Sequence, residues 1–186
     1  KANITDFVRG LQDRNLDVMV GGVHYSDTLS GGGGSFDSPP TGWGLTPSGD
    51  EFLAEWLDPL ELEGGGDWAE DGLGGLTKAM DGDDFTINGY RPDAKKVYLL
   101  ITDAPIKDTE DGDEGATQSR EDVIARLNSM DVTVHVVSQP EDSGGGGDTY
   151  SDVRQVAAET DGLYFDIHAD DWSPIFDTLG ERIAID

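Results

Sequence analysis

Apolar positions along this chain alternate between two periodicities. Ile4, Phe7, Val8 and Leu11 recur at helical spacing, and Asp17–Tyr25, read as DVMVGGVHY, follows as a strand. A short strand is expected near Trp43–Leu45, and then a helix start in which Thr46 or Ser48 is the N-cap. Phe52, Leu53, Trp56, Leu57 and Leu60 form the buried stripe of that helix. After the break Gly64-Gly65-Gly66-Asp67, the residues Leu73, Leu76, Thr77 and Met80 resume a helical pattern. Further on, Val123, Ile124, Leu127 and Met130 predict a helix and Val132–Val137 a buried strand. Val153, Val156 and Ala157 predict the next helix, Leu163–Ile167 a strand, and Trp172, Ile175, Phe176, Leu179 and Ile183 a last helix. Alternation of this kind predicts an α/β domain, a doubly wound and mostly parallel sheet with helices on both faces.

One segment stands out. Val97–Asp103 reads VYLLITD, an apolar run that ends abruptly in Thr-Asp. Such a run suits a strand buried on both faces of a parallel sheet, so Val97–Thr102 and Val132–Val137 are expected to be its central strands. Asp103 then falls just past the strand's carboxyl end, where open α/β sheets place their ligand sites. The glycine runs within Ser30–Ser35 and Ser143–Asp148 each follow a strand and are expected to flank the same face as a mobile rim.

Length and charge narrow the picture. A chain of 186 residues fits one domain, 1–186, and can bury a real core. Its 39 acidic and 12 basic residues give a formal net charge of −27. Phosphate repulsion therefore excludes nucleic acid as a direct partner and disfavours an anionic membrane surface. The acids lie between clear apolar runs, so the charge describes a folded surface, not disorder. Aspartate outnumbers glutamate and lysine is scarce, which suits solubility in molar salt and a haloarchaeal source. The competing reading is an acidic, calcium-loving extracellular domain. No cysteine is present, so disulfides, thiolate zinc sites and cysteine nucleophiles are absent. No apolar run approaches the roughly 18 residues that cross a bilayer.

Nothing in the chain supports nucleophilic catalysis. It has no Gly-x-Ser-x-Gly elbow, and its glycine runs lack the Gly-Lys-Ser/Thr ending of a phosphate loop. The chain is therefore not expected to be an enzyme. His24 and His135 fall inside strand patterns and His168 just after one, and no two have metal spacing.

Taken in order, KANITDFVRGL, DVMVGGVHYSD, LTPSGDEFLAEWLDPLELEGGGDWAEDGLGGL, RPDAKKVYLLITDAPIKD, VTVHVVS and VRQVAAETDGLYFDI resemble a von Willebrand factor A domain over nearly the whole chain. That resemblance implies a mostly parallel six-strand sheet with one short antiparallel edge strand. It implies protein binding through a metal-ion-dependent adhesion site, where a divalent cation at the top of the sheet takes oxygen ligands from three loops. Asp103 matches the family's third-loop aspartate. Gly64–Glu70, GGGDWAE, resembles the second loop of one branch of the family, with Asp67 as its ligand and Glu70 behind it. The first-loop pattern Asp-x-Ser-x-Ser has no match here. The family places it about ten residues before the position of Lys1, in line with short βα connections. By that measure the domain is N-terminally incomplete, and its first strand is missing too.

Asp103, Asp67 and Glu70 are hard oxygen ligands that suit Mg²⁺, Ca²⁺ or Mn²⁺ and not zinc. A cation held by them is expected only if the upstream ligands are supplied. Each has a plainer reading: Asp103 as a helix N-cap, Asp67 as a loop turn or cap, and Glu70 as a first-turn acid favoured by the helix dipole. The acidic loop Asp108–Gly115 offers Asp108, Asp111 and Asp113 as a secondary calcium site. Its spacing departs from the EF-hand, and a solvated charged loop is the plainer reading. The function expected is a non-enzymatic adhesion module, secreted or on the surface of a halophilic archaeon, that binds a protein ligand through a metal-bridged carboxylate. Alternatives are a structural subunit of a surface filament or layer, packed against neighbouring subunits, and an intracellular partner of an AAA-type ATPase.

Overall fold

The computed structural model describes residues 2–25, 41–60, 69–81, 90–91, 93–113, 115–140 and 151–185. Along them run α1 (Ala2–Asp13), β1 (Val20–His24), β2 (Thr41–Thr46), α2 (Gly49–Phe52) and a π-helical turn (Leu53–Leu57). Then come α3 (Gly72–Asp81), β3 (Lys96–Ile101), α4 (Arg120–Ser129), β4 (Val132–Ser138), α5 (Ser151–Glu159), β5 (Tyr164–Asp166) and α6 (Ser173–Ile185). The glycine runs fall outside the described residues.

Local chemistry sets the boundaries. Ser48 caps α2, its hydroxyl accepting from the Glu51 amide, while the Thr46 hydroxyl donates to the Glu51 carboxylate. The Asp58 amide donates to the Leu53 carbonyl at 2.7 Å, a five-residue step that widens the helix. That turn carries Trp56 onto β1. A Cβ at Gly22 would lie 2.4 Å from the Trp56 ring, so only glycine lets the ring sit so close. Beyond α1, α4 and α5, the chain turns through Asn15, Asp131 and Asp161 in left-handed conformations, which asparagine and aspartate tolerate best after glycine.

The fold is doubly wound α/β. β3, β4 and β5 form a parallel sheet in that order, with Lys96 opposite Val132, Ile101 opposite Val137 and Val136 opposite Tyr164. Helices cover both faces. Leu73, Leu76 and Met80 of α3, Val123, Ile124 and Leu127 of α4, and Val153, Val156 and Ala157 of α5 pack with Leu100, Val132, Val134 and Val136. On the other face Ile175, Phe176 and Leu179 of α6 pack with Phe7 of α1, Leu99 and Phe165.

Two expectations are corrected. Among the described residues there are five strands in two sheets, because β1 and β2 pair antiparallel as a separate ribbon. Among the described residues the run expected to be central, Val97–Thr102, stands at the edge of its sheet as β3, beside β4 alone. Most of β3 is half-buried and Ile101 is 36% exposed. β4 is central as expected, and all of it but Thr133 is buried. The two strands share an apolar composition but not a number of neighbours.

Candidate functional site

Three chain segments meet at the carboxyl end of β3. Tyr25 arrives from the end of β1, Glu70 from the approach to α3, and Thr102 and Asp103 from β3 itself. The meeting is fixed by backbone. The Glu70 amide donates to the Pro105 carbonyl and the Lys107 amide to the Glu70 carbonyl, each at 2.9 Å, making a one-residue parallel bridge between Glu70 and Ile106. The Thr102 hydroxyl donates to the Ala104 carbonyl at 2.9 Å and sets the turn that carries Asp103. The Gln139 amide donates to the Asp103 carbonyl at 2.6 Å, tying that turn to the end of β4.

Tyr25 stands between these pieces. Its hydroxyl donates to the Ile101 carbonyl at 3.0 Å. Burial pushes this phenol well above the ordinary tyrosine range. A hydrogen bond with Thr102 works against that shift, and the negative charges of Glu70, Asp103 and Asp71 add to it. Glu70 and Asp103, far apart in sequence, are brought to the same end of β3 by the Glu70–Ile106 bridge. Asp103 is exposed, Glu70 half-buried. The helix-cap reading of Asp103 is not what is seen, since the next helix, α4, is capped by Ser119. Nor does Glu70 sit in a first helical turn; it precedes Gly72, where α3 begins. Asp67 lies outside the described residues.

Asp71, absent from the sequence-based site, is the acid at the start of α3. It is 1% exposed. Its Oδ1 accepts from the Gly74 amide at 3.0 Å, and the Thr117 hydroxyl donates to both its oxygens. A Cβ at Gly74 would lie 2.2 Å from its Oδ2. The signal was available in Asp71-Gly72-Leu73-Gly74, an aspartate three residues ahead of a helical amide. Lys107, 1% exposed, gave no such signal.

The acidic loop has a different use for its charges. Asp108 is fully buried, and its Oδ1 accepts from the Glu110 amide at 2.9 Å and the Arg120 amide at 3.3 Å. Asp113 accepts from the Asp108 amide. The Arg120 guanidinium lies 3.5 Å from Asp108, 3.8 Å from Asp111 and 2.5 Å from Asp152 at the start of α5. The cation among Asp108, Asp111 and Asp152 is thus the chain's own arginine. His135 is also spoken for, its Nδ1 accepting from the Leu163 amide at 3.0 Å.

The hard carboxylate oxygens of Glu70 and Asp103 suit Mg²⁺ or Ca²⁺ in kind. In number they fall short of the roughly six oxygens such ions want. Among the described residues no group of three acidic or histidine side chains could hold a metal ion.

No protein-family model matches the chain. No curated protein matches it either. Solved structures do. Conserved hypothetical protein BatB from Bacteroides thetaiotaomicron superposes with a TM-score of 0.57 at 11% identity, over 98% of this chain and 86% of that one. A likeness at that identity carries the fold alone, and the fold is of the von Willebrand factor A-like, Rossmann-like kind.

Proposed function

We propose that this chain is a non-enzymatic protein-binding module whose contact face is the carboxyl end of β3. The observation that carries the reading is the Glu70–Ile106 bridge, which ties the segment carrying Glu70 to the turn just past Asp103 at the carboxyl end of β3. In this reading Glu70 and Asp103 offer oxygens to a divalent cation, Mg²⁺ or Ca²⁺. A bound cation supplies Lewis acidity toward a partner's carboxylate. Among the chain's own residues, Gln139 fixes the Asp103 turn and the Tyr25 hydroxyl ties the end of β1 to the Ile101 carbonyl. The net charge of −27 suits a surface or secreted setting in molar salt.

Calorimetric titration of Mg²⁺ and Ca²⁺ in molar KCl tests the reading. Heat of binding in the parent chain that is lost in Asp103→Ala and in Glu70→Ala supports it. Equal binding by parent and variants places the cation elsewhere and sinks it. A melting temperature that stays flat from low to molar KCl would remove the high-salt setting.

A further inference from the structure

The segment from Asp103 to Asp108 carries one candidate acid and holds the other. Asp103 begins it and is exposed, while residues 104–108 are buried. Glu70 is fastened to its middle: its amide donates to the Pro105 carbonyl, and its carbonyl accepts from the Lys107 amide. The places of Asp103 and Glu70 therefore depend on what grips this segment at its two ends.

The Asp103 end is gripped through a relay. The Gln139 side-chain amide donates to the Asp103 carbonyl at 2.6 Å. Gln139 is held in turn, because the Tyr164 hydroxyl donates to the Ser138 and Gln139 carbonyls at 2.8 and 2.6 Å. Tyr164 opens β5 opposite Val136, so its side chain reaches along β4 to that strand's carboxyl end. Over its ring, 4.4 Å from the centre, sits the Arg154 guanidinium of α5. The Asp108 end is gripped by Arg120, which also pairs with Asp152 of α5 at 2.5 Å.

Both grips lead to one place. Asp152 and Arg154 stand two residues apart in the first turn of α5. Side chains at that spacing leave a helix in different directions. One thus serves the Asp108 end and the other the Asp103 end. The turn at Asp103 does not need these arms for its shape, since the Thr102 hydroxyl already sets it. Ordering glutamine and arginine side chains costs entropy. What the arms add is a fixed relation between the segment and α5.

We propose that the first turn of α5 positions Asp103 and Glu70, with Tyr164 and Gln139 as the positioning residues that carry its place to the Asp103 carbonyl. A shift of α5 then moves both acids together, because the Glu70–Ile106 bridge keeps them on one segment. The use of this control rests on the binding reading; its geometry does not.

Amide exchange followed by NMR in the 186-residue chain tests it. The Ala104 amide, next to the Asp103 carbonyl, reports one end of the segment, and the Glu110 amide, bound to the Asp108 carboxylate, reports the other. The Val136 amide, bound to the Leu163 carbonyl, reports global opening. Tyr164→Phe removes the relay hydroxyl and keeps the ring; Arg154→Ala removes the cation above it. Each should quicken Ala104 exchange about tenfold more than Val136 exchange. Arg154→Lys, which keeps a cation there, should restore most of the parent rate. Asp152→Ala should quicken Glu110 and, through α5, Ala104 as well. Ala104 exchange that only keeps pace with Val136 in Tyr164→Phe and Arg154→Ala overturns the proposal, and so does an Asp152→Ala effect confined to Glu110. Titration of Ca²⁺ in molar KCl separates this outcome from the binding reading. A parent that binds, with Tyr164→Phe binding about tenfold more weakly, supports both. Equal affinity in parent and variant overturns the positioning role. A parent that binds no Ca²⁺ sinks the binding reading alone, since the exchange rates still decide what holds Asp103.

Discussion

The molecule has a closed side and an open side. On the closed side β4 is paired along both edges, and Val134, Val136 and Val137 are wholly buried. Its surrounding acids are matched from within, because Arg120 draws Asp108, Asp111 and Asp152 around one guanidinium. On the open side, among the described residues, β3 has one partner strand, Ile101 is 36% exposed, and Glu70 bridges to Ile106 just past Asp103. The difference teaches that burial and charge pairing are concentrated on one side of the sheet. The closed side can lose little, whereas the open side carries its acids at exposed or half-buried positions.

The largest expected effect contrasts the two strands directly. Val134→Asp puts a charge at a fully buried position without a partner, a cost of several kcal/mol against a typical total stability of about 5–15 kcal/mol. Cooperative unfolding should be lost or nearly so. Ile101→Asp at the open edge should cost about 1 kcal/mol. Urea denaturation of both variants decides it, and similar costs would erase the distinction between the two sides.

Arg120→Ala should come next, at about 3 kcal/mol, because it strands the buried Asp108 carboxylate among other acids. Asp103→Ala, at an exposed position on the open side, should change stability by less than about 0.5 kcal/mol. A destabilised Asp103→Ala would mean that this aspartate is structural.

Gly74→Ala lies where the two sides join. Its Cβ would press on the Asp71 carboxylate, which must then leave its cap at the start of α3. Loss of such a cap costs about 1–2 kcal/mol. Melting temperatures of Gly74→Ala and Asp71→Ala should fall together. An undisturbed Gly74→Ala would show that the carboxylate has room to move.

The closed side was legible in the sequence because apolar periodicity reports burial, and β4, α4 and α5 follow it, with Met130 falling just past α4 and half-buried. β3 was read correctly as a strand, and among the described residues it has β4 alone beside it where two neighbours were expected. The run Val97–Ile101 records the neighbours a strand is suited to, and neighbour count is a tertiary property that no local pattern contains. On the open side the place of Asp103, just past β3, was legible from the abrupt end of the apolar run. Tyr25 was not, since its role depends on a hydrogen bond across 76 positions of sequence. Asp108 looked like a solvated acid, because nothing in DTEDGDEG indicates that Arg120 folds back onto it.

The smallest effect is a pH dependence confined to the closed side. Burial raises the Asp152 carboxyl above its ordinary 3.8; Arg120 opposes the shift, and Asp111 and Asp108 reinforce it. A carboxyl with a raised folded value keeps its proton longer in the folded state than in the unfolded chain. Its favourable contribution is therefore full below the ordinary value and is lost as pH climbs from 3.8 through the raised value. Asp152→Asn cannot ionise, so the parent should lose stability relative to this variant across that window. Urea midpoints taken at steps of pH, with the Asp152 carboxyl followed by NMR, measure both halves of the argument. A parent that gains on the variant as pH rises would show that the Arg120 ion pair outweighs burial, and the closed side would then be held by attraction where desolvation was expected to rule.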